Sequence, residues 1–351
     1  MTALGDLLLD LLAMPCVTGE EGPIAAWLEE RYAGRGERVR RSANSVVVGG
    51  AGDGRPVVLL VGHTDVVPPT PADMEARREG DRLVGRGASD MKAGLAVCMD
   101  CFEDPLLRDG AYDLVLVAYA GEEGSHEGNE LGPLLTAMPD LTRADLALVM
   151  EPTDLTVQLG CMGALHGEVT FAGRAAHSAR PWQGVNALTA AGEFLSELHH
   201  REPEDVVVDD LLYREVFTAT SGWTTNARNV VPDAFTINLN YRFAPDKTLL
   251  EAEQRLADVV GGRASLRFVD RAPAGRPRRD DALVQRFLGS VDAPIEPKQA
   301  WTDVARLSEV GVPALNYGPG LTAQAHQAGE YVPEANLATA RDAVAAFLTE
   351  R

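Results

Sequence analysis

The sequence predicts an α/β fold in which a mostly parallel sheet is flanked by helices, with an inserted ferredoxin-like α+β domain. In the first half, strand-like apolar runs alternate with helical patterns, as in a parallel sheet covered on both faces. From about Gly163 the order becomes β-α-β-β-α-β, the ferredoxin-like split motif. PALNYGPG and NLATARDAVAAFLTE then return to the first architecture. We therefore predict one domain over 1–162 and 278–351, and an inserted domain over 163–277.

Two helices are expected near the N-terminus. MTALGDLLLDLLAMPC reads as an amphipathic helix that stops before Pro15, and Asp6 and Asp10 make it unlike a signal peptide. In TGEEGPIAAWLEERYA, Thr18 and Glu21 have capping-box spacing at the start of a second helix. No apolar run approaches the roughly 20 residues needed to cross a bilayer. We expect a cytoplasmic protein that acts without a membrane partner.

Three apolar runs of the first half lead into polar residues. RPVVLLV leads to His63, YDLVLVAYA to Glu122 and Glu123, and ADLALVM to Glu151. Each run has the length and composition of a buried strand. Ligands bind parallel sheets at the carboxyl ends of the strands, which is where these polar side chains fall.

The inserted domain contains six elements in order. ALHGEVTFAG reads as a strand and VNALTAAGEFLSELHH as a helix, and FTATSGW and DAFTINLNYRFAP read as two further strands. LLEAEQRLADVVG then reads as a helix and ASLRFVDRAP as a last strand. The stretch RAPAGRPRRDD, rich in Pro, Gly and Arg, is the expected exit linker.

Composition excludes several classes of function. The chain has 351 residues and a formal net charge of -20, which argues against nucleic acid or an anionic membrane as a partner. An anionic substrate would need locally placed arginines. Cys98 and Cys101 lie in an apolar helical pattern, LAVCMDCF, which favours buried packing, with a redox CxxC as the alternative. The sequence lacks a GxSxG elbow, a Walker loop and a Rossmann glycine fingerprint.

Two motifs at the start of the chain carry candidate metal ligands. In GHTDVVP, His63 and Asp65 lie two residues apart and can point to one side of a strand, where a carboxylate would hold the second ring nitrogen of a metal-binding imidazole. A polar turn is the alternative. In GRGASDMKAG, Asp90 precedes a helix, so it could cap that helix or bridge two cations.

Later motifs complete the set. AGEEG places Glu122 beside Glu123, so one can bind metal while the other faces the substrate, although a solvated acidic loop has the same composition. Glu151 in MEPT ends a buried run, and His326 in AHQAGEYV follows a Gly and Pro-rich loop. Two zinc ions sharing Asp90 would each take one histidine and one terminal carboxylate, with a bridging water as nucleophile.

Together these motifs resemble those of the di-zinc aminoacylase and carboxypeptidase family of amidohydrolases, over the whole chain. The resemblance implies a zinc-peptidase-like catalytic domain with two Zn²⁺, where Co²⁺ or Mn²⁺ is possible at the second site. It also implies that Glu122 is the general base and that Asp65 orients His63. The implied ligands are His63, Asp90 and Glu151 for one ion, and Asp90, Glu123 and His326 for the other.

The resemblance also implies a homodimer built by the inserted domain. His177 in GRAAHSARPWQGVNA resembles the family histidine that reaches the partner subunit's active site and donates to the oxyanion. A surface histidine is the alternative.

Within the family, three segments look most like those of actinobacterial succinyl-diaminopimelate desuccinylases: AHSARPWQGVNA, NVVPDAFTINLNYRFAP and WTDVARLSEVGVPALNYGPG. This implies a small, anionic acyl-amino acid substrate. Arg228 departs from the asparagine, and Arg180 from the tyrosine, that other members carry. Thr302 and Asp303 lie in a loop that lines the substrate pocket in the family, and a helix cap is their structural alternative. The implied substrate contacts are Arg242, Asn229, Arg180, Arg228 and Thr302.

Two alternatives stay open. Acetylornithine deacetylases and general aminoacylases share the metal motifs, so only the substrate pocket separates them from desuccinylases. An inactive, metal-binding homologue belongs to another class of function, and the intact Glu122 counts against it.

Overall fold

The computed structural model describes residues 2–14, 16–50 and 52–349, and it divides into two compact units. The first unit comprises Met1–Gly160, Gly275–Lys298 and Thr302–Arg351, and the second comprises Cys161–Ala274 and Gln299–Trp301. The second unit spans most of the predicted insertion. It also takes in residues 299–301, which the sequence assigned to the first domain.

The helices and strands are as follows, in chain order. The α-helices are α1 (Ala3–Leu12), α2 (Gly22–Ala33), α3 (Lys92–Glu103), α4 (Pro105–Arg108), α5 (Leu131–Ala137), α6 (Ala187–Ala190), α7 (Gly192–His200), α8 (Leu249–Val260), α9 (Ala282–Ser290), α10 (Val304–Glu309) and α11 (Glu334–Thr349). The strands are β1 (Val39–Ser42), β2 (Ser45–Gly49), β3 (Val57–His63), β4 (Arg77–Glu79), β5 (Arg82–Val84), β6 (Asp113–Tyr119), β7 (Leu146–Val149), β8 (Val157–Leu159), β9 (Gly163–Ala172), β10 (Ala176–His177), β11 (Glu204–Val208), β12 (Leu211–Trp223), β13 (Val230–Val231), β14 (Ala234–Phe243), β15 (Ser265–Ala272), β16 (Ile295–Pro297), β17 (Ala314–Asn316) and β18 (Tyr331–Pro333). Short 3-10 turns lie at His126–Gly128, Leu141–Arg143, Pro181–Gln183 and Thr322–Gln324.

The first unit is built on an eight-stranded sheet in the order β1-β2-β6-β3-β7-β17-β8-β16. The central strands β6, β3, β7 and β17 run parallel, as do β8 and β16, while β1–β2, β2–β6 and β17–β8 are antiparallel. β6 and β7 are buried along their whole length and β3 nearly so, because helices cover a parallel sheet on its faces. The predicted α/β class is confirmed.

Helix α3 lies against β3 and β6 at the centre of this sheet. Gly94 makes the close approach possible, since a Cβ atom there would lie 2.0 Å from the Met150 carbonyl oxygen. The residue after Met150 is Glu151, one of the predicted metal ligands. The packing of α3 therefore bears directly on the site.

The predicted capping box of the second helix is wrong. Helix α2 begins at Gly22, and its N-cap residue Glu21 has helical dihedral angles and makes no side-chain capping bond. Thr18 instead donates from Oγ1 to Asp65 Oδ2 at 2.9 Å. A fully buried carboxylate needs donors more than a helix terminus does, because unsatisfied buried charge is costly. Pro15, the expected stop of the first helix, lies outside the described residues.

The second unit has a five-stranded antiparallel sheet in the order β11-β12-β14-β9-β15. Four of these strands, together with the α6–α7 segment and α8, follow the predicted β-α-β-β-α-β order. The fifth, β11, is an edge strand that the sequence analysis missed, because its residues are only half-buried or exposed. The apolar face packs against α6, α7 and α8.

All four cysteines are buried thiols, as expected for Cys98 and Cys101 in α3. Among the described residues, no helix has the length and apolar character required to pass through a bilayer.

Candidate metal centre

The candidate site lies in the first unit, at the edge where three adjacent parallel strands end. His63 is the last residue of β3, while Glu122 and Glu123 follow β6, and Glu151 follows β7. Because parallel strands present their carboxyl ends at one edge, the order of the strands brings these side chains together. This is the arrangement that the sequence predicts.

The first ligand group consists of His63, Asp90 and Glu151, whose ligand atoms lie within 4.8 Å of one another. His63 Nδ1 lies 3.0 Å from the carbonyl oxygen of Asp65, which can only accept, so Nδ1 carries a proton and Nε2 faces the site. Nε2 lies 3.3 Å from Asp90 Oδ1. Asp90 precedes α3 by one residue, so Met91 rather than Asp90 is the N-cap residue of that helix.

The second ligand group consists of Asp90, Glu123 and His326. His326 Nε2 lies 2.8 Å from Glu123 Oε2 and 3.7 Å from Asp90 Oδ2. His326 has a φ of 62°, a left-handed conformation that costs of order 1 kcal/mol or more for a residue other than glycine. Such conformations cluster at functional sites, where the surrounding structure holds them in place.

Charge distribution favours cations in both groups. Burial lowers the pKa of His63, but the hydrogen bond to Asp90 and the charges of Glu122, Asp65 and Glu151 raise it well above its usual value. The hydrogen bond that His326 donates to the Glu123 carboxylate likewise raises the pKa of His326. The surroundings therefore stabilise positive charge, whether a proton or a metal ion supplies it.

Glu151 provides a separate test of whether the residues fit a metal. Its carboxylate is buried, and within the described part of the chain Oε1 has no hydrogen-bond donor. Burial, and after it the charge of Asp90, raises the pKa of Glu151 to about 7. A buried oxygen that lacks a donor, beside an imidazole and a carboxylate, matches the nitrogen and oxygen ligands that Zn²⁺ takes. The two groups fit two divalent cations that share Asp90.

Asp65 contributes in a different way from the one expected. Its carbonyl oxygen, not its carboxylate, accepts from His63 Nδ1, and the nearer carboxylate oxygen lies 3.7 Å from that nitrogen. The carboxylate accepts instead from the backbone N–H groups of Glu122 at 3.0 Å and Glu123 at 3.1 Å. Asp65 thus fixes the ring of His63 and also the turn that presents both glutamates.

Thr302 and Asp303 are placed in the interior of the first unit. Thr302 is 2% exposed. Asp303 accepts from the Tyr119 hydroxyl at 2.7 Å and from Asn129 Nδ2 at 2.8 Å. Asp303 is the N-cap residue of α10, but its side chain makes no capping bond to that helix. The carboxylate ties the end of β6 to α10.

The remaining predicted residues belong to the second unit. His177 pairs with Val230 between β10 and β13, and the Ser178 N–H donates to the Asn229 carbonyl oxygen at 2.9 Å, so His177 and Asn229 are neighbours. Arg242 in β14 is half-buried and donates from Nε to Asn240 Oδ1 at 3.1 Å. Burial lowers the pKa of Arg242. The residues with exposed side chains are His177, Arg180, Arg228 and Asn229.

Two buried charged residues near the ligands escaped the sequence analysis. Lys298 donates from Nζ to the carbonyl oxygen of Pro152 at 3.0 Å, next to Glu151. Glu330 accepts from the backbone N–H of Asp90 at 2.9 Å. Lys298 in EPKQA belongs to none of the motifs that mark the candidate ligands, so the sequence did not indicate it. Glu330 follows the candidate ligand His326 by four residues, and that spacing could have indicated it.

Comparison with known sequences gives one family and several relatives. The family model described as peptidase family M20/M25/M40 matches residues 59–350. A Mycobacterium tuberculosis protein, provisionally named succinyl-diaminopimelate desuccinylase DapE, is 35% identical over 98% of this chain and 97% of its own. The succinyl-diaminopimelate desuccinylase of Corynebacterium glutamicum is 33% identical over 97% of this chain and 94% of its own. The acetylornithine deacetylase of Myxococcus xanthus is 33% identical over 83% of this chain and 79% of its own.

Solved structures show the same fold. The M20 family metallo-carboxypeptidase Sso-CP2 of Sulfolobus solfataricus aligns with a TM-score of 0.80 at 17% identity, over 99% of both chains. The YXEP protein of Bacillus subtilis, a dinuclear metal-binding peptidase of the M20 family, aligns with a TM-score of 0.69 at 15% identity, over 99% of this chain and 96% of its own.

Proposed function

Because the chain belongs to peptidase family M20/M25/M40, we propose that it is a metal-dependent hydrolase that cleaves N-succinyl-LL-2,6-diaminopimelate with water, giving succinate and LL-2,6-diaminopimelate. This reaction supplies lysine and cell-wall precursors. The observation that supports this substrate is the 33–35% sequence identity, over nearly the full chain, to proteins with desuccinylase names.

The metal chemistry is supported by the two ligand groups that share Asp90. His63, Asp90 and Glu151 would hold one cation, and Asp90, Glu123 and His326 the other. When bound, two divalent cations supply Lewis acidity that activates water and polarises an amide carbonyl. We take both to be Zn²⁺, with Co²⁺ or Mn²⁺ as alternatives at the second position, because the ligands are imidazoles and carboxylates.

Glu122 is the residue that moves protons. It follows β6 beside Glu123, and its backbone N–H is held by Asp65 at 3.0 Å. Burial raises the pKa of the Glu122 carboxyl well above its usual range, and the charges of Glu151, Asp303 and Glu123 raise it further, against the opposite effect of His63. A carboxylate with a raised pKa can take a proton from the attacking water and return it to the leaving amine.

Recognition of the substrate would fall to the second unit. The substrate carries several carboxylates, so a chain with a net charge of -20 must bind it through local donors such as Arg242, Asn229, Arg180 and Arg228. Thr302 stays a predicted contact, although it is buried. We further propose a homodimer, in which the inserted domain dimerises and His177 donates to the oxyanion in the partner's active site. We also propose that the enzyme works in the cytoplasm.

The first experiment is succinate release from N-succinyl-LL-2,6-diaminopimelate by the zinc-loaded protein, with N-acetylornithine as the competing substrate. We expect turnover of the first substrate, loss of turnover after chelation, and recovery when Zn²⁺ is restored. Turnover of N-acetylornithine alone would replace the substrate assignment with that of the Myxococcus xanthus relative. Turnover that persists after complete metal removal would overturn the metal chemistry.

A further inference from the structure

We infer that Glu330 is a positioning residue that shapes both cation sites before metal binds, by joining the loop that carries Asp90 to the segment that carries His326. The inference deepens the proposed function and rests on it. Glu330 follows His326 by four residues and is 1% exposed. A buried carboxylate needs hydrogen-bond donors, and the donors identify its role.

Both oxygens of Glu330 are occupied by the loop that precedes α3. Oε1 accepts from the backbone N–H groups of Ser89 at 2.8 Å and Asp90 at 2.9 Å. Oε2 accepts from the backbone N–H of Gly87 at 2.9 Å and from Arg86 Nη1 at 2.9 Å. One side chain therefore sets the path of the backbone up to the shared ligand Asp90. With both oxygens bound in this way, Glu330 is not itself a metal ligand.

A small sheet brings the two segments together. β18 pairs antiparallel with β5, so the residue before β18 faces the loop after β5. The Gly85 N–H donates to the Glu330 carbonyl oxygen at 3.0 Å. Ser89 Oγ donates to the Tyr331 carbonyl oxygen at 2.8 Å. These contacts join the loop that carries Asp90 to the segment that carries His326. A displacement of one therefore moves the metal ligand on the other.

The charge of Glu330 is balanced within the same network. Arg86 Nη2 lies 3.1 Å from Asp73 Oδ2, and that oxygen also accepts from the Gly329 N–H at 2.9 Å. Arg86 thus bridges Asp73 and Glu330, and all three side chains are buried. A buried network in which each carboxylate has several donors is rigid, because each group would lose much of its stabilisation by moving.

The test is a Co²⁺ titration of the full chain and of the Glu330→Gln variant. Calorimetry measures the Co²⁺ affinity, and visible absorption reports the geometry of the bound Co²⁺. The amide has one oxygen and one NH₂ group, so in either orientation two donors of the loop lose their acceptor. We expect Co²⁺ affinity to fall about 10- to 100-fold, the usual effect of removing a group that orients metal ligands. The absorption spectrum should change as well, because the ligand geometry changes.

Glu215→Gln is the matched control. Glu215 in the second unit is 2% exposed, and it accepts from the Tyr241 hydroxyl at 2.7 Å and the Ala244 N–H at 2.8 Å. This substitution disturbs an equally buried carboxylate, and we expect unchanged Co²⁺ affinity and spectrum. If the control weakens Co²⁺ binding as much as Glu330→Gln does, the effect is general destabilisation and the inference is wrong.

The outcomes separate the inference from the function. Two Co²⁺ ions bound normally by both the unchanged chain and Glu330→Gln would overturn the inference and leave the proposed function intact. An unchanged chain that binds no Co²⁺ would overturn the proposed function, and the inference with it. If Glu330→Gln does not fold, Glu330→Asp keeps the charge but shortens the reach, and wild-type Co²⁺ affinity in that variant would equally reject the inference.

Discussion

At the scale of single residues, reactivity depends on how the charge of one carboxylate is balanced by its neighbours. Glu122 lies among Glu123, Glu151 and Asp303, all of which favour its protonated form. Bound cations would offset part of that repulsion, since a metal ion is the largest charge in such a site. The turn that carries Glu122 is fixed through its backbone by Asp65. The side chain can therefore change its protonation state without the loss of its position.

We predict that Glu122→Gln lowers kcat about 10²- to 10⁴-fold, the usual contribution of a general acid or base. Metal content should stay unchanged, because Glu122 belongs to neither ligand group. Steady-state kinetics with the succinyl substrate and metal analysis of the purified variant would measure both quantities. Glu127→Gln is the control, since Glu127 is exposed in the same loop, and its kinetics should match those of the unchanged chain. Full activity in Glu122→Gln would reject the proposed mechanism.

At the scale of elements, the position of α3 against the sheet governs where Glu151 lies. Gly94→Ala would place a methyl group 2.0 Å from the Met150 carbonyl oxygen, so helix or strand must move. We predict a loss of stability of about 1–3 kcal/mol, typical of overpacking, together with weaker metal binding. Thermal unfolding and Co²⁺ titration would measure the two effects.

Gly289→Ala is the matched control for that substitution. Gly289 lies in helix α9, and an added Cβ would have no heavy atom within 4 Å. We expect this variant to be as stable as the unchanged chain, or more stable by up to about 1 kcal/mol, because alanine favours helix. Equal destabilisation by both substitutions would show that loss of glycine, rather than the contact with Met150, is responsible.

The attachment of α2 to α3 should depend on pH. Glu103 in α3 lies 2.8 Å from Arg31 and 2.5 Å from Arg35. Burial would raise the pKa of Glu103, but the hydrogen bonds and charges of these arginines hold it below its usual value. A folded pKa below the unfolded one means that the native state binds fewer protons. The resulting stability is present above the unfolded pKa of about 4.3, and it is lost as the pH falls through the folded pKa.

We therefore predict that Glu103→Gln lowers the free energy of unfolding by about 1–2 kcal/mol at pH 6, and by less at pH 3.5. Urea unfolding of the metal-free protein at both pH values would measure the difference without interference from metal loss. Glu29→Gln is the control, because Glu29 and Arg41 form an exposed pair whose contribution should be small at either pH. A Glu103→Gln effect that is equal at both pH values would contradict the assignment.

At the scale of the whole molecule, the proposal that His177 acts in the partner's active site predicts complementation between inactive variants. In a mixed dimer of Glu122→Gln and His177→Ala, one active site has both defects and the other has none. Each homodimer should be inactive, and an equimolar, fully exchanged mixture should recover about one quarter of full activity in a symmetric dimer. Activity assays and native mass spectrometry of the mixture would test this.

The outcome would also decide where His177 acts. Mixed dimers that form but stay inactive would place the histidine outside the partner's site. A monomeric protein with full activity would reject the dimer proposal altogether. His199→Ala is a control, since His199 is exposed in α7 and has no role in the proposed site, so the homodimer of this variant should be active without mixing with a second variant.

The sequence by itself determined the α/β class and the identity of the residues at the carboxyl ends of β3, β6 and β7. Both follow from local patterns, because a strand buried on both faces must be continuously apolar and the polar residue that ends it is visible in the same short stretch. The ferredoxin-like order of the inserted unit was visible from a different local pattern, the alternation of more and less buried residues along its strands. The edge strand β11 was missed because its only apolar residues, Val206, Val207 and Val208, lie between acidic residues and none of them is fully buried.

Only the tertiary structure decided which groups neutralise and orient the buried carboxylates. Thr18 and Glu21 have capping-box spacing, yet the Thr18 hydroxyl donates to Asp65, which is 47 residues away. Glu330 holds the backbone of Asp90 across 240 residues. Several of these donors are backbone N–H groups, which every residue except proline carries, so no side-chain pattern marks them. A buried carboxylate must have hydrogen-bond donors nearby in the folded chain. These donors can lie far away in the sequence, so no short stretch of sequence reveals them.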